Sequence, residues 1–552
     1  DGEENGERKK KGKKGAGAGV KKEKPKVETK IDFAGIEGRI RRIPKVAGLG
    51  MHNIQAAEKQ YYYLVQGQRM FLFRPSFDLY MYSVEKLKSE KVASSIVTYG
   101  IAANGEKLVI YDGSEFSFVK VGSKMAAAKK TDDAESAKEK YDFAKRTRMK
   151  LDRRAEWRQI FNESWRMVKY HFYDPNLHGV DWDGVKKYYE ALLPYVQTRG
   201  ELNILLNEMV GELNASHQGA SGGDEPSPPT SSLAHLGAAF ELDEKTGYPR
   251  IARIFRGEKA SISSMEQSPL DNDYVKVKEG DYLLAIDGRE LRPFENFYQH
   301  LVDKTANKIT IATNGKPEMK DAVTTKFMPL FYDARVRYGD WAWRNERFVD
   351  ERSGGRIGYM HLADMQTAGL GEFREKFEKY RYKDAIIIDV RYNGGGSIDE
   401  RIIDYLERRP YHIERMRNHS PEPRPTEVFM GEIVVLINEY SYSDAEVFPS
   451  AMKERGLGTL IGTPTLGFVI AVTGHPLIDG GQIRKTFIGI WEISTGAQLE
   501  SRGAIPDVYV ESPPEMEKQG RDVQLEKAIE YLSGKISGKG KIFDHEPKIE
   551  KR

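Results

Sequence analysis

The 552-residue chain has no cysteine. Disulfides, thiol nucleophiles and cysteine-ligated metals are therefore excluded, and the redox compartment stays open. Nor does it contain an apolar run of about 18 residues, so no membrane-spanning helix is expected. Charge of one sign is missing too. Lys and Arg number 86 against 83 Asp and Glu, and a net charge of +3 makes no general case for nucleic-acid binding. There is no HExxH-type histidine spacing for a metal site and no GKS/T ending for a phosphate loop. The first residues, DGEENGERKKK, include neither an initiator Met nor an apolar leader. The expectation is that a leader was removed or that the chain is a piece of something longer.

What is present is a globular composition, 39% hydrophobic and 11% aromatic, long enough for roughly three to five domains. Residues 1–31 are Lys, Glu and Gly and read as a disordered tail or linker, with polyanion binding as the other reading. Residues 32–122 carry short alternating runs (YYYLVQG, DLYMYSV, KLVIYDG) roughly ten residues apart, as in four-stranded propeller blades. Ninety residues make only about two blades, fewer than a propeller needs. The missing blades are expected in an N-terminal portion, and a small sandwich is the alternative.

Over residues 133–222 the period turns helical, in WRQIFNESWRMVKYHF, GVKKYYEALLPYV and ELNILLNEMVGEL, with Asp181 and Asp183 as candidate caps. Residues 232–316 alternate strand and turn around HLGAAFEL and GDYLLAIDG, with a short helix predicted in PFENFYQHLVD. That order resembles a PDZ domain, which binds an extended peptide at a sheet edge. Residues 325–535 alternate β and α and predict a mixed α/β sheet with ligands at the strand C-terminal ends. Residues 536–552 form a basic tail. The fold class is thus multidomain α+β: partial blades, a helical segment, a PDZ-like domain and an α/β core.

Two strand ends could carry chemistry. In DVRYNGGGSI an apolar strand runs into Gly394–Gly396 and then a helix, so backbone N–H groups could cradle an anion, or simply make a tight turn. In NEYSYSDAEVF a strand delivers Ser441 and Ser443 to a helix start. Ser443 occupies the N-cap, and Glu446 the third helical position, of a capping box. Capping explains that serine by itself; a nucleophile held against helix N–H groups is the other reading.

IIIDVRYNGGGSIDERIIDYL followed by NEYSYSDAEVFPSAMKERGLGTLIGTPTLG resembles the core of the tail-specific, C-terminal-processing serine peptidase superfamily. In its Ser-Lys branch the base lies in a T-x-G-K-G pattern, and here Phe468 stands at the lysine position of TLGFV. The chain is similar over most of its length to the tricorn protease branch. That resemblance implies a nucleophile at Ser443, a base at His217 preceded by Ser216 in NASHQG, and Glu500 in QLESRGAIPDV completing a Ser-His-Ser-Glu tetrad. It also implies an oxyanion hole from the N–H of Asp444 and of Gly395 or Gly396.

The function so implied is hydrolysis of peptides or unfolded polypeptides as an endopeptidase, with no cofactor, metal or ATP. The implied partners are the N-terminal portion and further copies of the chain in a homo-oligomer. The tricorn branch is cytosolic, while many relatives of this core are exported, so a cytoplasmic or a periplasmic location both remain open. The competing readings are a non-enzymatic propeller/PDZ peptide-binding scaffold and a Ser-Lys processing peptidase with a displaced lysine. Glu492 is the rival of Glu500, and His171, His178, His361 and His475 are rivals of His217.

Overall fold

The computed structural model describes residue 34, most of 51–123, 139–141, 150–225, most of 226–257, 267–536 and 547. The tails expected at 1–31 and 536–552 fall almost wholly outside these residues. The chain divides into two compact units, residues 1–150 and 151–552.

In the first unit β1 (Met51–Ala57), β2 (Gln60–Phe71), β3 (Arg74–Ser83) and β4 (Lys88–Ile96) form one antiparallel meander. A second is built from β5 (Thr98–Ile101), β6 (Lys107–Tyr111), β7 (Phe116–Lys120) and β8 (Glu139–Tyr141). Alternate residues turn inward, as strand geometry requires. Tyr62, Leu64, Leu79 and Ile96 share one buried cluster with Leu108 and Ile110. Neither sheet closes on itself; four open strands each is what the described residues contain.

The second unit opens with α1 (Arg153–His171), α2 (Trp182–Glu190) and α3 (Arg199–Gly211), capped by the side chains of Asp152, Asp181 and Thr198. Of the two predicted caps, Asp181 is the one at the start of α2, accepting from Gly184 N–H at 3.0 Å. After a short strand β9 (Gly219–Ser221) comes an antiparallel sheet of β10 (Ala238–Leu242), β11 (Pro249–Ile254), β12 (Tyr282–Ile286), β13 (Arg289–Glu290), β14 (Ile309–Asn314) and β15 (Val323–Phe327). β15 runs past residue 316, where the sequence reading closed this segment. The helix predicted in PFENFYQHLVD is a single 3-10 turn, Phe297–Leu301. Its two apolar ends, Phe297 and Leu301, are already buried by that one turn, so no longer helix is needed to satisfy the pattern.

The last part alternates α4 (Ala334–Ser353), β16 (Ile357–His361), α5 (Thr367–Tyr380), β17 (Ala385–Asp389), α6 (Asp399–Leu406), a small hairpin β18 (His412–Glu414) and β19 (Glu422–Arg424), β20 (Glu432–Ile437), α7 (Asp444–Glu454) and β21 (Thr459–Gly462). It finishes with the hairpin β22 (Ala471–Pro476) and β23 (Gln482–Ile488), then β24 (Val508–Tyr509), α8 (Pro514–Lys518) and α9 (Val523–Lys535).

The central sheet runs β16-β17-β20-β21-β24, and every pairing in it is parallel, not mixed as the sequence suggested. A parallel sheet is covered on both faces, which is why AIIID of β17 reads as a continuous apolar run. Ile386 and Ile388 join Phe373, Phe377 and Phe448 on one face; Ala385 and Ile387 join Val349, Leu525 and Leu532 on the other. At about 1.5–3 kcal/mol for each fully buried large aliphatic side chain, this core fixes the strand ends that carry the site. None of the helices among the described residues is long and apolar enough to cross a membrane.

Candidate active site

Two strands of the central sheet end side by side. Beyond β20, Asn438 Oδ1 accepts the N–H of Tyr392, from the loop after β17, at 3.1 Å. Ser441 is fully buried and donates its hydroxyl to the carbonyl of Val390 at 2.8 Å. Ser441 therefore ties the two strand ends together, a role the sequence did not reveal. Ser443 follows as the N-cap of α7 with φ 60° and ψ −125°, a left-handed conformation that a non-glycine residue adopts only under constraint.

Two acceptors and a close contact hold it there. The Ser443 N–H donates to the Phe468 carbonyl at 2.8 Å and to Glu446 Oε1 at 3.2 Å, the latter being the Glu446 half of the predicted capping box. Glu446, which has no exposed surface, also accepts from the N–H groups of Gly467 and Phe468 at 2.6 and 2.7 Å and from Thr465 Oγ1 at 2.5 Å. Burial raises its pKa against these four donors. Glu446 thus welds the loop after β21 to the start of α7, a function its place in a capping box only half disclosed. On the other side, a Cβ on Gly395 (φ +83°) would lie 2.5 Å from Ser443 Cβ, so only glycine lets this loop approach.

The glycines differ in what their N–H groups do. That of Gly395 donates to Asn393 Oδ1 at 2.8 Å. Gly396 forms a parallel bridge with Met365 through its neighbours, Met365 N–H to Gly395 O at 2.9 Å and Ser397 N–H to Met365 O at 2.7 Å. In such a bridge the N–H of Gly396 itself points away from Met365 and makes no hydrogen bond among the described residues. Asp444 is the first residue of α7, so its N–H has no acceptor within the helix. Its carboxyl accepts from Ile398 N–H at 2.8 Å and Asp399 N–H at 3.3 Å, joining the start of α6 to that of α7. Burial, then the neighbouring Asp399, push its pKa up to about 7.

The other half of the site comes from far upstream. β9 pairs with β23, and the loop before it brings Ser216 and His217 to the core. Arg199, at the start of α3, is buried in an ion pair with Asp479 of the β22–β23 turn, a second tether. Glu500 accepts from the Ser216 N–H at 2.7 Å and Oγ at 3.0 Å, and from the Val469 N–H at 2.9 Å. Ser216 Oγ also lies 3.0 Å from His217 Nδ1.

A carboxylate only accepts, so the single Ser216 proton goes to Glu500 and the Ser216 oxygen accepts from Nδ1–H. His217 is then the tautomer with a free Nε2. Burial lowers its pKa, Glu500 raises it and Arg484 lowers it further. Its ring lies 6.3 Å from that of Tyr442 and 6.2 Å from that of Phe468, centroid to centroid. Phe468 therefore packs on the imidazole from the position where a lysine base would stand. No hydrogen bond joins His217 to Ser443; the structure brings the imidazole against Tyr442 and Phe468, which flank that serine.

His217 (φ 61°) and Ser501 (φ 62°) are left-handed as well, so the site holds several strained residues. Three of the five rivals are engaged elsewhere. Glu492 pairs with Arg502 and Thr495, His475 with Glu163, and His361 is buried between Tyr338 and the Arg391 carbonyl. Sequence reading also missed the buried support beneath the glycine loop, where Arg391 joins Asp389 at 2.7 Å to Asp522 at 2.8 Å.

Known proteins resemble this chain in sequence and in fold. Residues 356–510 match the model of peptidase family S41, residues 153–211 the tricorn protease C1 domain, and residues 234–329 the tricorn protease PDZ domain. A tricorn-like protease C-terminal subunit of Sulfurisphaera tokodaii is 29% identical over 532 residues, covering 93% of this chain and 58% of that protein. The tricorn protease of Thermoplasma acidophilum is 31% identical over 378 residues, 68% of this chain and 35% of that protein. Among solved structures, a crystal structure of the tricorn protease superposes with a TM-score of 0.75 at 26% identity, covering 88% of this chain and 46% of that one.

By these matches the chain is similar to tricorn proteases over most of its length, with a peptidase family S41 region at residues 356–510. It spans about half or less of the length of most of the curated relatives it matches.

Proposed function

We propose that this chain is the catalytic portion of a tricorn-like endopeptidase that hydrolyses peptides or unfolded polypeptides through Ser443, His217, Ser216 and Glu500. The observation that carries the reading is Ser216 Oγ bridging His217 Nδ1 and Glu500 Oε2 at 3.0 Å each. Those partners come from segments 284 residues apart, and the imidazole they orient packs against Tyr442 and Phe468, the neighbours of the strained Ser443.

In the proposed reaction His217 Nε2 takes the Ser443 proton as Oγ attacks the scissile carbonyl, then returns it to the leaving amine. Glu500, acting through Ser216, keeps the ring in the required tautomer and favours the imidazolium. The developing oxyanion is held by the N–H of Asp444 and that of Gly396. Gly396 is preferred to Gly395 because the Gly395 N–H already serves Asn393. Nothing in this chemistry calls for ATP or a metal.

We further propose that the two open four-stranded sheets are blades of a propeller, completed by an N-terminal portion, and that the protein works as a homo-oligomer. The relative described as a C-terminal subunit supports a partner of that kind. Labelling with a fluorophosphonate and mapping the modified residue tests the site: label at Ser443 is expected. Ser443→Ala should lose label and about 10³–10⁶ in kcat. Label on another serine, or peptide cleavage by Ser443→Ala at the native rate, would overturn the assignment.

A further inference from the structure

We infer that Tyr173 and His178 are positioning residues for the reaction: they form a strut between the loop carrying Ser216 and His217 and the loop carrying Glu500. The inference rests on the reading of Ser443 and His217 proposed above. Three hydrogen bonds make the strut. Gln498 Nε2 donates to Tyr173 Oη at 2.7 Å, Tyr173 Oη meets His178 Nε2 at 2.5 Å, and His178 Nδ1 meets the Leu213 carbonyl at 2.9 Å. Gln498 precedes Glu500 on one loop, and Leu213 precedes Ser216 on the other.

For a neutral imidazole the proton directions follow. A carbonyl only accepts, so His178 Nδ1 carries the proton, Nε2 accepts from the Tyr173 hydroxyl, and the phenol oxygen accepts from Gln498. Each member donates toward Leu213, an orientation in which neighbouring hydrogen bonds reinforce one another.

The backbone around His178 is bent to aim it. Leu177 and His178 have φ of 51° and 54°, two successive non-glycine residues in the left-handed region, each of which is unfavourable without support. Asp174 supplies that support, accepting from Asn176 N–H at 2.9 Å and from His178 N–H at 2.8 Å. Tyr173 is fixed independently. Its N–H donates to the Thr486 carbonyl of β23 at 3.1 Å, and its ring meets Trp491 edge-on at 6.1 Å. A Cβ on Gly489 would lie 2.6 Å from Trp491 and 2.7 Å from the Tyr173 ring, so that approach needs a glycine.

Leu213 is fully buried, which makes its carbonyl a firm anchor, while His178 is an exposed residue whose ring packs edge-on against Phe172 and Tyr173. A turn distorted to place an exposed histidine between two site loops is more than a satisfied surface contact requires.

The test uses the full chain and steady-state kinetics on one peptide substrate, with Ser443→Ala alongside. If Ser443→Ala retains activity, the catalytic assignment fails, and that outcome is distinct from a failure of the strut. Tyr173→Phe and His178→Ala should each lower kcat about 3- to 10-fold with KM little changed. The double variant should be no worse than either single one, because both break the same chain. His178→Gln should recover most of the rate, since an amide can donate to Leu213 and accept from Tyr173. Native kcat in Tyr173→Phe, additive losses, or His178→Gln as slow as His178→Ala would each overturn the inference. Should Tyr173→Phe fold poorly, the contrast between the two His178 variants decides.

Discussion

The two arms of the site are built on different principles. Ser443 is delivered by β20, whose Ile433–Ile437 are all buried in the middle of a parallel sheet, and its loop is knitted to those after β17 and β21. Ser216 and His217 arrive on a segment that joins the core through three residues of β9 on β23, a buried ion pair, the apolar contacts of Leu477 and Ile483, and the hydrogen bonds of Glu500, Tyr173 and His475. The first arm inherits its rigidity from the core, whereas the second depends on a few identifiable contacts. Precise placement of a catalytic group does not require that the group sit on the most stable element, provided its tethers are themselves buried or strained into place.

The contrast can be broken most sharply at Arg199. Arg199→Ala leaves Asp479 buried without its partner, a change that costs about 3 kcal/mol in comparable pairs. Peptidase activity should fall well before the global unfolding transition on warming, followed in parallel by an activity assay and circular dichroism. Coincident loss would mean that the arms are equally stable.

Glu500→Gln probes electrostatics within the second arm. Glu500 raises the His217 pKa, so its neutral replacement should move the acid limb of the kcat/KM profile to lower pH while lowering the plateau. An acid limb that stays put or moves up would remove Glu500 from its role beside Ser216.

The smallest effect belongs to the first arm. The folded-state pKa of Asp444, about 7, lies above an unfolded value near ~3.9. Its contribution to stability is thus full below the unfolded value and is lost as pH rises through about 7. The Asp444→Asn protein should therefore lose less thermal stability than the native one between pH 5 and pH 8 (roughly 2–3 kcal/mol for a group so shifted). Parallel losses would show that this carboxyl does not titrate there.

Much of the first arm was legible in the sequence, because a strand covered on both faces must be apolar throughout and a glycine run at its end has few other uses. AIIID, NGGG and the serine before DAEVF are local patterns with local causes. The second arm was legible only through family resemblance, since no periodicity relates Ser216 to Glu500. Other features escaped for physical reasons. ARVRYGDWAWRNERFVDERS forms α4 although few of its side chains are buried, so its apolar stripe is weak. The all-parallel order depends on pairings between distant segments. The choice between Gly395 and Gly396 turns on one hydrogen bond to Asn393, which no residue pattern encodes.

The left-handed turns at His217 and Ser443, described above as strain, bear on how such a molecule survives its own synthesis. Neither turn is an intrinsic preference of its residue; each is imposed by partners encoded elsewhere in the chain. On the proposed reading, a polypeptide emerging from the ribosome would expose its histidine long before its serine, and neither would be in working geometry. Hydrolytic competence would then appear only at the end, when the last strands have docked, and a half-made chain would have no means of cutting its neighbours.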